Sequence, residues 1–165
     1  MSEEIIVKQL IWEEENLRQI LEIENSSFNG FDAYTLEDFK RWYGFNPELC
    51  IVAEIKGRIV GCMISRIVED WLDLASLAIH PAYRRQGIGS ALLAYTIVQM
   101  KEQGINHIEL EVRKTNASAI AFWQKLGFVL FGSLPGFYED GEDALRMQKT
   151  VDLPPCGRSG FHFPH

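Results

Sequence analysis

The residues best suited to chemistry lie where a strand gives way to a helix. Leu77-Ala-Ile-His-Pro81 reads as the end of an apolar strand, and Tyr83-Arg-Arg-Gln-Gly-Ile-Gly-Ser90 opens the helix that follows. A helix N-terminus presents unpaired backbone N–H groups and a partial positive charge, so anions settle there. Glycine lets such a backbone approach a pyrophosphate and take positive φ. Arg84 and Arg85 add planar cationic donors suited to phosphate oxygens. Two familiar phosphate motifs do not fit. The dinucleotide fingerprint G-x-G-x-x-G needs a third small residue where this chain has Leu92, and no Gly-Lys-Ser/Thr of a P-loop is present. Arg84-Arg85-Gln86-Gly87-Ile88-Gly89 remains, either a phosphate cradle or, taken alone, a glycine turn capping a helix.

A second set of reactive types sits on strands. Ile108, Leu110 and Val112 alternate with Glu109, Glu111 and Arg113. A central strand covered on both faces should be almost wholly apolar, so this charged face is expected to border a cleft. Glu111 is the candidate base, with a solvated ion pair to Arg113 as its alternative. Asp73 interrupts the apolar run Leu72-Asp-Leu-Ala-Ser-Leu-Ala-Ile79. It either relays a proton or attracts an ammonium group, or it caps the strand's open end beside Trp71. His80 before Pro81 finishes a strand, and His162 and His165 are too sparse to hold a metal.

The elements that must position these residues follow from periodicity. Ile5-Ile-Val7 reads as a strand, and Glu13 to Glu24 as an amphipathic helix broken at Ser26-Ser-Phe-Asn-Gly30. Thr35-Leu-Glu-Asp38 has the form of a capping box, which starts a helix to about Tyr43 that Gly44 and Pro47 end. Tyr34, Trp42 and Tyr43 read as core packing, with a place bordering a cleft as the alternative. Strands are expected over Cys50–Ile55, Arg58–Val68 and Leu72–Ile79, with Lys56-Gly57 turning between the first two. Ile88, Ala91, Leu92, Tyr95 and Val98 repeat at helical spacing up to Gly104. The strand carrying Glu111, a helix over Ala117–Leu126 ended by Gly127, and an antiparallel pair, Phe128–Phe131 with Ala144–Met147, complete an α/β sandwich of mixed strand direction.

The chain has 165 residues, 47% hydrophobic and 24% charged, which fits one globular domain over residues 1–150 with a tail over 151–165. A net charge of −7 disfavours nucleic-acid partners. No apolar run reaches the length of a membrane span, and the acidic Met1-Ser-Glu-Glu4 is unlike a secretory signal. Three unclustered cysteines, Cys50, Cys62 and Cys156, argue against a disulfide framework or zinc site and for reduced thiols in cytoplasm.

Two later blocks give the glycine loop a context. Leu110-Glu-Val-Arg-Lys-Thr-Asn-Ala-Ser-Ala-Ile-Ala-Phe-Trp-Gln-Lys-Leu-Gly-Phe128 and Gly136-Phe-Tyr-Glu-Asp-Gly-Glu-Asp-Ala144 follow it in order. Together the three resemble GNAT N-acetyltransferases, and among them RimI-type and archaeal protein N-terminal acetyltransferases, from about residue 5 to 150. The resemblance implies a splayed mixed sheet with helices on both faces and acetyl-CoA as cosubstrate. It implies that the backbone of Leu77, Ala78 and Ile79 pairs with the pantetheine arm. The cradle Arg84, Arg85, Gln86, Gly87, Ile88, Gly89 and Ser90 would hold the pyrophosphate, and Asn116 would bond the arm. Glu111 would act as general base in direct attack within a ternary complex. The chain departs from the family at Asp73, where archaeal relatives place a histidine, and at Trp123, where a proton-donating tyrosine is usual. Trp123 is then expected along the pantetheine, and Tyr138 either contacts the acceptor or supplies the proton. The implied acceptor is a protein or peptide α-amine; a polyamine-type acceptor, or a weakly active acetyl-CoA-binding protein, are the alternatives. Monomer and homodimer both stand.

Overall fold

Alternation of buried and half-buried residues along the strands dictates a sheet covered on both sides. The computed structural model describes residues 3–28 and 32–152, and the expected tail falls outside them from residue 153 on. The strands are β1 (Ile6–Gln9), β2 (Cys50–Ile55), β3 (Arg58–Val68), β4 (Trp71–Ile79), β5 (His107–Arg113), β6 (Val129–Leu134) and β7 (Ala144–Thr150). The helices are α1 (Glu14–Ser27), α2 (Leu36–Phe45), α3 (Ile88–Glu102) and α4 (Ala117–Lys125). One mixed sheet in the order β1-β2-β3-β4-β5-β7-β6 holds all seven strands. Among the described residues, only the β4–β5 contact is parallel.

Two apolar cores flank the sheet. On one side α3 and α4 bury Ile88, Leu92, Met100 and Trp123 against Ile51, Met63, Leu72, Ile108 and Met147. On the other, α1 and α2 bury Ile20, Ile23 and Phe39 against Val52, Cys62, Ile64 and Ala78. Tyr34, Trp42 and Tyr43 pack on the edge of the second core. The capping box of α2 is formed, with Thr35 accepting from the Asp38 N–H and the Asp38 carboxylate accepting from the Thr35 N–H.

Element boundaries differ from the sequence reading in ways that have local causes. Helix α1 runs through the serines expected to break it, and Ser26 Oγ donates to Ile23 O at 2.9 Å within its last turn. Gly44 lies inside α2, which continues to Phe45. Phe128 is a core residue just after α4, and cross-strand pairing carries β6 to Leu134 and β7 to Thr150.

The sheet has one opening. Strands β4 and β5 pair only at Leu72↔Ile108 and Asp73↔Glu109 and then part. Strand β4 stays on β3, with Ser76↔Ile64, Leu77↔Met63, Ala78↔Cys62 and Ile79↔Gly61. Strand β5 stays on β7 along its whole length. A register shift at Ile64/Ser65 leaves Ala75 as the extra residue on β4, a bulge just past the point of parting. Peptide groups of β4 beyond Asp73 that face β5 therefore have no strand partner.

Candidate active site

The opening in the sheet gathers charge. A cavity of about 150 Å³ where the strands part is lined by Arg66, Val68, Trp71, Asp73, Glu109, Glu111 and Arg146. Asp73 and Glu111, from different strands, thus share one cavity. Asp73 faces Arg66 at 3.3 Å, its partner across the β3–β4 hairpin. Burial raises the Asp73 carboxyl above its ordinary value against the opposing pull of Arg66. Glu111 is raised too, by burial first and by the Asp73 charge second, while Arg146 opposes the shift.

The alternative for Glu111, an ion pair with Arg113, does not form. Residue register puts Arg146 of β7 opposite Glu111, with Nε 3.6 Å from Oε2, and Arg146 Nη2 donates to Glu109 at 2.6 Å. Glu109 also meets His107 Nε2 at 3.0 Å. Arg113 points instead to the loops. It donates to Asp32, Asp140 and Glu142, and its guanidinium lies 4.1 Å from the centre of the Tyr138 ring. The Tyr138 hydroxyl is pushed up to about 12, chiefly by burial and then by the Asp32 charge.

The glycine loop ends in an open helix start. Gly87 occupies the left-handed region at φ +80 as the N-cap of α3, with no side-chain cap. Ala91 N–H is the first in α3 to reach back to Gly87 O, at 3.0 Å, so the amides of Ile88, Gly89 and Ser90 precede the intrahelical ladder. A Cβ at Gly87 would meet nothing within 4 Å, whereas one at Gly89 would stand 2.7 Å from the Phe122 ring. Gly87 leaves the approach to the amides open; Gly89 lets α3 pack on α4. Arg85 also has positive φ, 65°, and is exposed. Arg84 folds back, donating to Ile79 O at 3.4 Å and lying 3.5 Å from Ser27 Oγ. These uncapped donors, leading from the edge of β4 at Leu77, Ala78 and Ile79 that pairs with no strand on the β5 side, fit a pyrophosphate with an extended polar arm.

Two expected contacts have other occupations. Asn116 caps α4, its side chain accepting from Ala119 N–H at 3.2 Å. Trp123 is only 7% exposed and packs edge-on against Phe122 and Phe128. Its ring thus belongs to the core beside α3 and α4. Among the described residues there is no cluster of His, Cys, Asp or Glu fit for a metal, and no helix is long and apolar enough to cross a membrane.

Arg66 and Arg146 were missed by sequence reasoning. Arg66 had a signal: a two-residue Glu69-Asp70 turn between Val68↔Trp71 sets Arg66 opposite Asp73. Arg146 had none, because its register against β5 is decided by pairing between strands far apart in sequence.

Comparison with known proteins adds an independent finding. Residues 17–128 match the family model described as the acetyltransferase (GNAT) family. The ribosomal protein bS18-alanine N-acetyltransferase of Escherichia coli K12 is 40% identical over 100 residues, covering 59% of this chain and 68% of that one. The crystal structure of Ard1 from Thermoplasma volcanium superposes with a TM-score of 0.81 at 26% identity, over 90% of this chain and 98% of that one. That of the Escherichia coli ribosomal-protein-S18-alanine N-acetyltransferase gives 0.75 at 28% identity, over 92% and 97%.

Proposed function

The chain belongs to the acetyltransferase (GNAT) family and is an N-acetyltransferase, and we propose that it acetylates the free α-amine of a protein or peptide from acetyl-CoA. The observation that carries this is the parting of β4 from β5. It joins a carboxylate-lined cavity to an unpartnered strand edge that leads to an uncapped helix start. The family uses acetyl-CoA generally, and the similar Escherichia coli protein is by name an alanine N-acetyltransferase acting on a ribosomal protein.

Acetyl-CoA supplies an acyl thioester, which an unprotonated amine attacks directly and from which the thiol departs. The amides from Arg85 to Ser90 hold its phosphates, with Arg85 the more available cation. The outward peptide groups of Leu77, Ala78 and Ile79 align its arm as an added strand would. Asn116, at the head of α4, borders the same arm. Glu111 accepts the ammonium proton; burial raises its carboxyl above the ordinary value, which favours the protonated form that results. Asp73, in the same cavity, attracts the ammonium group and shares the proton. Tyr138 borders the path of the acceptor. An alkyl thiol near pKa ~8.5 is a tolerable leaving group, so transfer does not require a tyrosine at position 123.

The acidic cavity also favours a second reading, a small polyamine-type acceptor. Release of free thiol on peptides with free α-amines, on α-blocked peptides bearing lysine, and on polyamines separates the two. With the preferred acceptor, Glu111→Gln should lower kcat by at least ~10²-fold while acetyl-CoA affinity stays near wild type. An unchanged kcat removes Glu111 from the mechanism.

A further inference from the structure

We propose that Arg113 is a positioning residue that clasps the two loops flanking the acceptor side of the sheet and so fixes where the amine-bearing chain passes over Glu111. This rests on the reading that the acceptor approaches Glu111. Arg113 ends β5, two residues beyond Glu111 and on the same charged face.

Every nitrogen of its guanidinium is engaged. Nε and Nη2 grip Asp32 bidentately at 2.6 and 2.9 Å, and Nη1 donates to Asp140 at 3.0 Å and to Glu142 at 2.8 Å. Asp32 lies in the α1–α2 connection, 81 residues away in sequence; Asp140 and Glu142 lie in the β6–β7 connection. The Arg113 side chain is 18% exposed, as is that of Asp32, so this pair is better shielded than an ordinary surface pair. Planar bidentate geometry also favours arginine over lysine here.

The two loops depend on Arg113 unequally. The β6–β7 connection has further anchors: Thr115 Oγ1 to Glu142 at 2.5 Å, Lys114 N–H to Asp143 O at 3.1 Å, and Gly136 N–H to Asp143 at 2.9 Å. Among the described residues, the side-chain hydrogen bonds of Asp32 go to Arg113 alone. Arg113 is therefore the link that draws the α1–α2 side toward the loop carrying Tyr138. Without it three carboxylates face one another across the gap, so like-charge repulsion adds to the lost bonds. A residue that merely holds the fold together would disturb cofactor and acceptor alike; a clasp on the acceptor side disturbs the acceptor alone.

The test compares Arg113→Gln, Arg113→Lys and Asp32→Asn with wild type and Glu111→Gln. Its readouts are acceptor KM and kcat, acetyl-CoA affinity, and hydrogen exchange at the amides of Tyr34, Tyr138 and Gly141. Arg113→Gln should raise acceptor KM at least ~10-fold, with kcat within ~3-fold and acetyl-CoA affinity within ~2-fold of wild type. Exchange should quicken at Tyr34 and Tyr138. Asp32→Asn should act in the same direction, and Arg113→Lys should recover only part of the loss. Unchanged exchange, an unchanged acceptor KM, or equal loss of cofactor affinity in Arg113→Gln overturns the clasp. An Arg113→Gln enzyme with wild-type KM beside a Glu111→Gln enzyme with lowered kcat overturns the clasp and keeps the transfer reading. Absence of transfer by wild type to any amine overturns the transfer reading, and this inference with it.

Discussion

Glu111 and Arg146 face each other across β5 and β7, with Arg146 Nε 3.6 Å from Glu111 Oε2. Arg146 favours the carboxylate, whereas burial and the Asp73 charge favour the acid. The basicity of Glu111 is thus set first by burial and then by two neighbours pulling in opposite directions.

A base must be deprotonated to work, so activity should fall as pH drops through the Glu111 value. Arg146→Gln removes a lowering influence and should move the acid limb of kcat/KM to higher pH. Asp73→Asn removes a raising one and should move it to lower pH. Profiles of kcat/KM against pH for the two variants check both signs. A limb that moves in neither variant belongs to another group.

Glu24 is 2% exposed on α1 and accepts the Tyr34 N–H at 3.0 Å. Burial raises its carboxyl to about 7 from an ordinary 4.5. Between those values the folded chain keeps a proton that the unfolded chain releases, so stability declines as pH rises and the full cost is present above 7. The difference corresponds to roughly 3 kcal/mol as an order of magnitude. Glu24→Gln keeps an acceptor for Tyr34 and removes the titration. Its melting temperature should exceed that of wild type at pH 8 and match or fall below it at pH 4.5. A wild-type Tm that is flat between these pH values would rule the effect out.

Gly87 and Gly89 should fail in different ways. A methyl at Gly89 meets the Phe122 ring at 2.7 Å, and overpacking of this kind costs about 1–3 kcal/mol. A methyl at Gly87 meets no atom within 4 Å but must adopt φ +80, at a cost of about 1–2 kcal/mol, at the residue that precedes the open amides of α3. Gly89→Ala should therefore lower Tm with proportionate loss of acetyl-CoA affinity. Gly87→Ala should lose affinity beyond what its Tm predicts. Thermal melts and acetyl-CoA titrations on both variants check this, and parallel losses in both would make Gly87 a simple helix cap.

Features set by local chemistry were legible in residue spacing. Alternation of Ile108, Leu110 and Val112 with charged residues gave a strand with one polar face. Thr35 and Asp38 specified a helix start. Gly87 and its neighbours marked an open helix N-terminus after a strand. These depend on residues a few positions apart, so spacing reveals them, and the resemblance to GNAT enzymes rests on the glycine loop with the stretches Leu110–Phe128 and Gly136–Ala144. Tertiary structure decided which charges meet. Arg146 reaches Glu111 because β7 pairs with β5 in one register, and a one-residue slip would turn it to the other face. Arg113 meets Asp32 because that residue, 81 positions away in sequence, lies beside the end of β5 in space. Trp123 lies in the core because Phe122 and Phe128 close around it. The parting of β4 from β5 likewise depends on how much each strand gives to its other neighbour, a balance set by long-range pairing that neither strand carries in its own residues.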